Sequence, residues 1–213
     1  MPIKFPRTWH IPTSPGATSD DKSHADISVF EGKSVVITEK MDGENTTVYQ
    51  DGTTHARSLT PNKHPSRAWL KQRIPTFAYL LPKGWRVCGE YLYAQHSIAY
   101  DTLPGYFLVF SVIDEKEICC AWDITRLWTL SLDLHTVPVL FRGIFTEEVV
   151  AELSKPAPSK YGKEREGFVI RPDHSFPMNQ YSTLTGKYVR PHHVTTDEHW
   201  MRKTVVPNHI KSA

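Results

Sequence analysis

The chain is poor in cysteine and has no long apolar run. Its three cysteines are Cys88, Cys119 and Cys120, and no two of them form a C-x-x-C pair. A disulfide framework or a zinc knuckle is therefore not expected, and a reducing environment is favoured. No apolar stretch approaches the roughly 20 residues of a membrane span, and the opening segment MPIKFPRTWHIPTSPG lacks a signal-peptide core. We therefore expect a soluble, intracellular (cytoplasmic) protein that does not contact membranes.

A large excess of charge is also missing. The 213 residues carry a net charge of +2, with 39% hydrophobic and 23% charged residues, which is ordinary for a globular protein. The total charge does not indicate a nucleic-acid partner, so the distribution of charge must decide. The length suits one domain with a sizeable core. We interpret residues 1–213 as a single domain with an irregular arm (1–33) and a basic tail (191–213), and we expect a monomer.

Alternating and apolar runs predict a series of strands. A hairpin is expected over 45–50 and 53–58 around the Asp51-Gly52 turn, and further strands over 34–38, 85–93, 106–115, 117–122, 136–141, 167–172 and 186–191. Helices are expected over 65–82 with an interruption at Pro75, over 124–134 after a cap at Asp123, and over 147–154. This order predicts an α+β fold with antiparallel hairpins, not a repeating βαβ pattern.

Lys40 stands at the end of an apolar strand, in the segment Ile37-Thr38-Glu39-Lys40-Met41-Asp42-Gly43. A lysine amine with its usual pKa of about 10.4 is protonated and not nucleophilic. Desolvation or a nearby cation can lower that pKa. Gly43 would allow close approach of backbone or ligand, and Asp42 would orient the amine or hold a metal-bound water. For a single lysine, an ordinary surface position is the better interpretation, so further parts of a site are needed.

Such parts follow along the chain, each at the end of or within a predicted strand. They are Arg57 in HARS, Glu90 in CGEYLYA, Phe110 in YFLVFSVID, Glu166 in EREGFVIR, and Lys187 and Arg190 in GKYVRP. Taken singly, the carboxylates could be ordinary strand ends, the phenylalanine could be core, and the arginines could be surface charges. A lysine that attacks a phosphate, however, needs cations around the phosphate and carboxylates for a metal.

Taken in this order, the stretches resemble the collinear motifs of the covalent nucleotidyltransferases, which comprise RNA ligases, DNA ligases and mRNA-capping enzymes. Lys40–Gly43 is similar to the nucleophile motif, Gly89-Glu90 to the third, Glu166–Arg171 to the fourth and the Lys187 strand to the fifth. The strings KMDGENTT, HARS, GEYLYAQHSI and KYVRPHHV are most similar to ATP-dependent RNA ligases. The resemblance covers about Ser34 to Arg190. It implies an antiparallel-sheet nucleotidyltransferase (adenylyltransferase) domain with flanking helices, ATP-grasp-like.

The resemblance also implies roles around the nucleotide. Lys40 would attack the α-phosphate of ATP, release pyrophosphate and hold AMP as a phosphoramidate. Glu39 would lie beside the adenine, and Phe110 would stack on it. Arg57 and Glu90 would engage the ribose.

The remaining implied roles concern metal and phosphate. Glu166 and Glu90 would bind Mg²⁺ or Mn²⁺, and Lys187 would contact the α-phosphate and depress the pKa of Lys40. The family's fifth motif usually has a second lysine where this chain has Val189. Arg190 could supply that charge, but strand alternation places it on the face opposite Lys187 unless a bulge re-aims it.

The expected function is an RNA ligase, in RNA repair, that transfers AMP to an RNA 5′-phosphate and seals it to a 3′-hydroxyl. A DNA ligase core or a capping enzyme is an alternative, although about twenty residues after Arg190 are too few for the oligonucleotide-binding (OB) barrel those enzymes carry. A catalytically silent nucleotide- or RNA-binding protein is a third. Two further sets stay open between phosphate contact and a solvated surface: Lys160, Lys163, Arg165 and Arg171, and His192, His193 and His199.

Overall fold

The computed structural model describes residues 1–59, 64–191 and 205–211. The strands are β1 (Trp9–His10), β2 (Ser34–Lys40), β3 (Glu44–Tyr49), β4 (Thr54–Ala56), β5 (Arg86–Tyr91), β6 (Phe107–Ile113), β7 (Ile118–Cys119), β8 (His135–Thr136), β9 (Val139–Ile144), β10 (Gly167–Pro172), β11 (Phe176–Pro177) and β12 (Gly186–Val189). The α-helices are α1 (Ala68–Arg73), α2 (Trp122–Ser131), α3 (Glu147–Leu153) and α4 (Tyr181–Leu184), and 3₁₀ turns cover Pro65–Arg67, Ile74–Thr76, Ala78–Leu80 and Met178–Gln180.

The first sheet has the strand order β1-β12-β10-β2-β9. β2 is an inner strand of this sheet and is antiparallel to both β10 and β9. Its apolar residues Val35, Val36 and Ile37 are almost fully buried because both faces of the strand are covered. Lys40 is its last residue and pairs with Gly167 of β10, so a rigid strand fixes the base of the lysine side chain.

The second sheet has the order β11-β7-β6-β5-β3-β4, with β8 added beside β6. The expected hairpin is present, because β3 and β4 pair across a turn in which Gly52 has a φ of 81°. The amide of Gly52 donates to the carbonyl of Tyr49 at 3.0 Å. The mostly antiparallel sheets with few helices confirm the predicted α+β class.

An apolar cluster joins the two sheets. It contains Val36 of β2, Leu108 of β6 and Trp122 at the start of α2, all buried. Burial of such side chains stabilises the fold by about 1.5–3 kcal/mol each, so the cluster holds the two sheets in one arrangement. The cleft described below opens between the two sheets.

Several predicted elements differ in detail. The strand expected over 136–141 is divided into β8 and β9, which belong to different sheets. The helix expected over 65–82 is divided into α1 and 3₁₀ turns at Pro75, as its missing N–H requires. The strand expected over 117–122 is only Ile118–Cys119, because α2 begins at Trp122 with Ala121 as its N-cap residue. Asp123 is therefore not the cap: its carboxylate binds Arg142 at 2.7 and 2.6 Å.

The segments at both ends of the chain pack on the sheets. The arm over 1–33 is not wholly irregular, because β1 runs parallel to β12 with Trp9 opposite Gly186. In the tail, the buried Asn208 accepts from the amide of Tyr100 and donates to the carbonyl of Leu92. His192, His193 and His199 lie outside the described residues. Within the described part, no helix has both the length and the apolar character that a membrane crossing requires.

Candidate active site

A cleft of about 800 Å³ opens between the two sheets. One wall is formed by the ends of β2, β10 and β12, and the other by β3, β5 and β6. The arm borders the opening through Phe5–Trp9 and Thr18–Lys22. The cleft brings together most of the residues predicted from the motifs: Glu39, Lys40, Arg57, Glu90, Phe110 and Lys187.

Lys40 lies on the floor of this cleft. Its Nζ donates to both carboxylate oxygens of Glu166, each at 2.7 Å. The Lys40 side chain is 26% exposed and that of Glu166 only 5%. Burial lowers the pKa of Lys40, but Glu166 and Glu90 outweigh it, so the pKa is raised above its usual value. In the protein alone, Lys40 is therefore a paired ammonium.

The net pKa shift of Lys40 in the protein alone is upward, so the expected lowering is not seen, and a contribution of Lys187 to it stays a prediction. The dominant charges around Lys40 are carboxylates, not cations. It is Lys187 whose pKa is lowered, chiefly by burial, with a contribution from Lys40. The repulsion between the two amines is mutual, but at Lys40 the carboxylates outweigh it.

Of the two predicted metal-binding carboxylates, Glu90 lines the cleft and the buried Glu166 contacts Lys40. Burial raises the pKa of Glu166, with Lys40 opposing the shift. Burial raises the pKa of Glu90, Lys40 opposes the shift, and the charges of Glu166 and Asp42 add to it, which together give a pKa of about 8. Two carboxyls thus face one ammonium, and burial favours the protonated form of Glu90.

Asp42 does not contact the Lys40 amine. Its Oδ2 accepts from the amides of Ser97 and Ile98 at 2.7 and 2.9 Å, and its Oδ1 lies 3.9 Å from His96 Nδ1. The structure therefore shows Asp42 fixing the 96–98 loop against the turn after β2. The next residue is Gly43, and a side chain would not fit there because a Cβ would lie 2.6 Å from the carbonyl oxygen of Tyr91.

Glu39 is buried on the cleft wall, with 2% of its surface exposed. Its Oε2 accepts from the amide of Lys160 at 3.1 Å, whereas Oε1 is buried without a hydrogen-bond partner among the described residues. Burial raises the pKa of Glu39, although the nearby Ser159 and the amide of Lys160 oppose the shift. An unpaired buried oxygen costs about 1–3 kcal/mol, so this atom fits a donor supplied by a ligand.

Phe110 and Arg57 border the same cleft from the second sheet. The Phe110 ring is partly exposed and meets Phe5 of the arm edge-on, at 5.4 Å between ring centroids. Arg57 is exposed, and its amide donates to the carbonyl of Asn45 at 3.0 Å. An aromatic face and an exposed guanidinium suit a base and a sugar or phosphate, respectively.

Lys187 is paired with the arm. Its Nζ lies 3.4 Å from Asp21 Oδ1, and His10 Nε2 lies 3.5 Å from Asp21 Oδ2. Burial and the nearby charge of Lys187 together lower the pKa of His10 to about 4. The pKa of Asp21 falls to about 2, because hydrogen bonds from Thr18 and the charge of Lys187 outweigh its partial burial. Near neutral pH the arm thus presents a carboxylate, not a second cation, to Lys187.

Arg190 does not reach the cleft. Its guanidinium pairs with Glu164 at 2.5 Å and lines a separate groove, as strand alternation indicated. Arg171 is also not part of a surface patch. It is buried, donates to the carbonyl oxygens of Phe110 and Cys120 at 3.0 and 2.5 Å, and lies 5.6 Å over Trp122.

The sequence analysis missed Asp21 and the neighbouring arm residues. The segment TSDDKSHAD has the composition of an exposed loop, and its acidic pair carries no motif. The pairing of β1 with β12 could not be predicted either, because it joins residues at opposite ends of the chain. The only signal was the polarity of the segment, which does not distinguish a solvated loop from a cleft wall.

The carboxylates present fit a metal that arrives with a nucleotide. The described residues contain no group of three or more histidine, cysteine or acidic side chains able to hold an ion alone. Mg²⁺ is often held by one or two carboxylates together with substrate phosphates and water. Glu166 and Glu90 supply such a pair beside Lys40.

Comparison with known proteins agrees with this geometry. The RNA ligase family model matches residues 33–189, most of the chain. The chain belongs to the RNA ligase family. The arm that carries Asp21 lies before the matched region. A search of curated proteins found no match.

Solved structures with the same fold include Naegleria gruberi RNA ligase. A mutant with AMP and Mn has a TM-score of 0.54 and 17% identity, over 76% of this chain and 51% of that one. A mutant with ATP and Mn has a TM-score of 0.53 and 17% identity, over 77% of this chain and 52% of that one. The enzyme with PPi has a TM-score of 0.52 and 18% identity, over 76% of this chain and 52% of that one. This chain spans about half the length of those chains, and at such identities the likeness shows the fold alone.

Proposed function

We propose that this protein is an ATP-dependent RNA ligase in which Lys40 becomes covalently linked to AMP. The observation that carries the proposal is the position of Lys40. A strand end fixes it on the floor of a nucleotide-sized cleft, 2.7 Å from both oxygens of Glu166. Membership of the RNA ligase family and the fold shared with ligases solved with ATP or AMP support the assignment.

The proposed pose places the base of ATP at the Glu39 end of the cleft. The unpaired Oε1 of Glu39 would accept from the exocyclic amine of adenine, which would satisfy the buried oxygen. Phe110 would stack on the base, and Arg57 would hold the sugar. The α-phosphate would then lie between Lys40 and Lys187.

In the first step, Lys40 must lose a proton before its lone pair can attack the α-phosphorus. The carboxylate of Glu166 is the acceptor in contact with the ammonium. The new N–P bond forms as the bond from phosphorus to the pyrophosphate oxygen breaks, which leaves AMP on Lys40 as a phosphoramidate. Lys187 neutralises charge on the phosphate oxygens as the bond forms.

A divalent cation, Mg²⁺ or Mn²⁺, at Glu166 and Glu90 would screen the carboxylates that raise the pKa of Lys40 and would neutralise phosphate charge. In the later steps, an RNA 5′-phosphate would accept AMP from Lys40, and a 3′-hydroxyl would displace AMP to seal the strand. Positioning of the two ends supplies most of the rate enhancement in such transfers.

Transfer of label tests this proposal. The protein is incubated with a divalent cation and ATP labelled at the α-phosphate, and acid-labile label on the chain is measured. We expect label on wild-type protein and none on Lys40→Ala or Lys40→Arg, with Lys22→Ala as a matched cleft lysine that keeps it. Label that persists on Lys40→Ala contradicts the nucleophile, and label from GTP or NAD instead of ATP contradicts the nucleotide.

Sealing assays then decide the polynucleotide. The same preparation is given nicked RNA, nicked DNA and single strands, each with a 5′-phosphate and a 3′-hydroxyl. Preferred sealing of RNA supports the proposal. Sealing of nicked DNA alone would instead support a DNA ligase core, and transfer of GMP to an RNA 5′ end would support a capping enzyme.

A further inference from the structure

A second groove lies outside the nucleotide cleft and has no role in the chemistry proposed above. It has a volume of about 490 Å³ and is bounded by the loop after α3, the start of β10 and the end of β12. We call it the basic groove, and its polar lining consists of Ser154, Lys155, Lys163, Glu164, Arg165, Glu166 and Arg190.

Positive charge dominates this groove. Lys155, Lys163, Arg165 and Arg190 all line it, against two carboxylates, the exposed Glu164 and the buried Glu166, which is already paired with Lys40. Lys155 pairs with Glu152, but both side chains are about two-thirds exposed, so the pair is weak. The groove is therefore a site of positive potential that suits an anion.

Two polar atoms of the groove are left without partners. Arg190 Nε and Ser154 Oγ are buried and make no hydrogen bond among the described residues. The Nη2 atom of Arg190 forms an ion pair with Glu164, whose side chain is 61% exposed. An acceptor entering the groove would satisfy Nε once Arg190 turns from Glu164, and a phosphate oxygen is the acceptor that best matches guanidinium geometry.

The basic groove adjoins the proposed reaction centre. The amide of Arg190 donates to the carbonyl oxygen of Glu166 at 2.9 Å, and the carboxylate of Glu166 holds Lys40. Arg165, Glu166 and Arg190 all line the basic groove, and Glu166 also contacts Lys40 of the cleft, so this residue connects the two sites.

We propose that the basic groove binds backbone phosphates of the RNA strand being joined. This deepens the proposed function and rests on it. The groove has four cations but no exposed aromatic platform, because Tyr188 is stacked on Phe168 and is 8% exposed. Phosphate contacts without base contacts hold a strand in register but carry no sequence information. Binding is therefore independent of base sequence and strongly dependent on salt.

The first test removes two exposed cations. Binding of a short fluorescent oligoribonucleotide with a 5′-phosphate is measured by anisotropy across a salt series, without ATP, on full-length protein. For the double variant Lys155→Ala/Lys163→Ala we expect weaker binding and a salt slope smaller by about 2. The matched control Lys83→Ala/Lys116→Ala removes two exposed lysines that do not line either cavity and should leave the slope unchanged. Equal slopes for both double variants, or no binding by wild-type protein, overturn the proposal.

In the second test, the substitution is expected to strengthen RNA binding rather than weaken it. Glu164→Gln removes the anion that occupies Arg190, so we expect tighter RNA binding, by roughly threefold, within the range of an exposed ion pair. A role of Glu164 only in folding predicts no gain. Arg190→Ala should bind more weakly than wild type, and binding unchanged in both variants overturns the role of Arg190.

The outcomes separate this proposal from the ligase assignment. If wild-type protein labels Lys40 while groove variants bind RNA as wild type does, the groove proposal alone fails. If wild-type protein takes no label but groove variants lose RNA binding, the groove proposal stands and the assignment of Lys40 fails.

Discussion

Lys40 and Lys187 lie on the two strands that flank β10, yet their surroundings differ. Lys40 meets the buried carboxylate of Glu166, and its pKa is raised. Lys187 meets the half-exposed Asp21 from the arm at a longer distance, and burial lowers its pKa. The carboxylate end of the cleft therefore holds its lysine as a paired ammonium, whereas the arm end holds its lysine weakly.

This difference indicates that the two lysines have different roles. A lysine held by a buried pair cannot leave its position, but it needs a change of charge before it can react. A lysine held by a weak, exchangeable pair can transfer to a phosphate at little cost. We thus expect variants at the Lys40 end to abolish chemistry and variants at the arm end to tune nucleotide binding.

The largest effect is expected at Glu166. Glu166→Gln keeps the shape of the side chain but removes the charge that holds Lys40 and the acceptor for its proton. We expect self-adenylylation to fall by about 1000-fold, measured as the rate of label transfer from ATP. Circular dichroism checks folding. A variant that folds and keeps the wild-type rate contradicts the role of this carboxylate.

Lys187→Ala should be less severe. The variant removes one cation from the α-phosphate, so we expect the rate of labelling to fall by about 100-fold. Lys22→Ala is the matched control, because Lys22 also borders the cleft but lies 5.8 Å over the Trp9 ring. Similar losses of labelling rate in the two variants would show that the rate depends only on the total charge of the cleft.

The pH dependence of stability tests the crowding of carboxyls beside Lys40. The pKa of Glu90 is about 8 in the folded chain against 4.5 ordinarily, so the folded state binds the extra proton between these values. Stability contributed by this group therefore decreases as pH rises from about 4.5 to about 8. Urea unfolding of nucleotide-free Glu90→Gln should lose this decrease, whereas the exposed control Glu31→Gln should retain it. Identical pH profiles for wild type and Glu90→Gln would contradict the raised pKa.

The smallest effect is expected at the arm. Asp21→Asn frees Lys187 and removes a negative charge that faces the phosphates, so the Kd for ATP should fall by about fivefold, equivalent to about 1 kcal/mol. Asp20→Asn is the matched control for this variant. It removes the adjacent charge of the cleft, but in the described part of the chain Asp20 forms no ion pair with Lys187. Weaker ATP binding by Asp21→Asn would mean that Asp21 positions Lys187 rather than competing with phosphate.

The sequence was most informative where a strand carried a motif. The apolar run of β2 and the Asp51-Gly52 turn predicted the place of Lys40 and the hairpin, because apolar runs and glycine backbone freedom act locally. Alternation also predicted the outward direction of Arg190. The order of motifs brought Glu90 and Glu166 together only through resemblance, because no local rule joins residues from different sheets.

The arm and the electrostatics were not predictable in this way. β1 pairs with β12 from the opposite end of the chain, so no periodicity within the arm reveals it. The sign of the pKa shift at Lys40 depends on whether a carboxylate or a cation lies nearer to its amine. Only the structure gives the distance from that amine to Glu166. Sequence predicts that charges share a cleft, whereas geometry decides which of them dominates.

The most direct test of the account is to map the site of adenylylation. Protein incubated with ATP and a divalent cation is digested under conditions that preserve phosphoramidates, and the AMP-bearing peptide is sequenced by tandem mass spectrometry. The account predicts AMP on Lys40 in the peptide that contains Met41 and Asp42. AMP on Lys187 or Lys22, or no adduct on the chain, would contradict it.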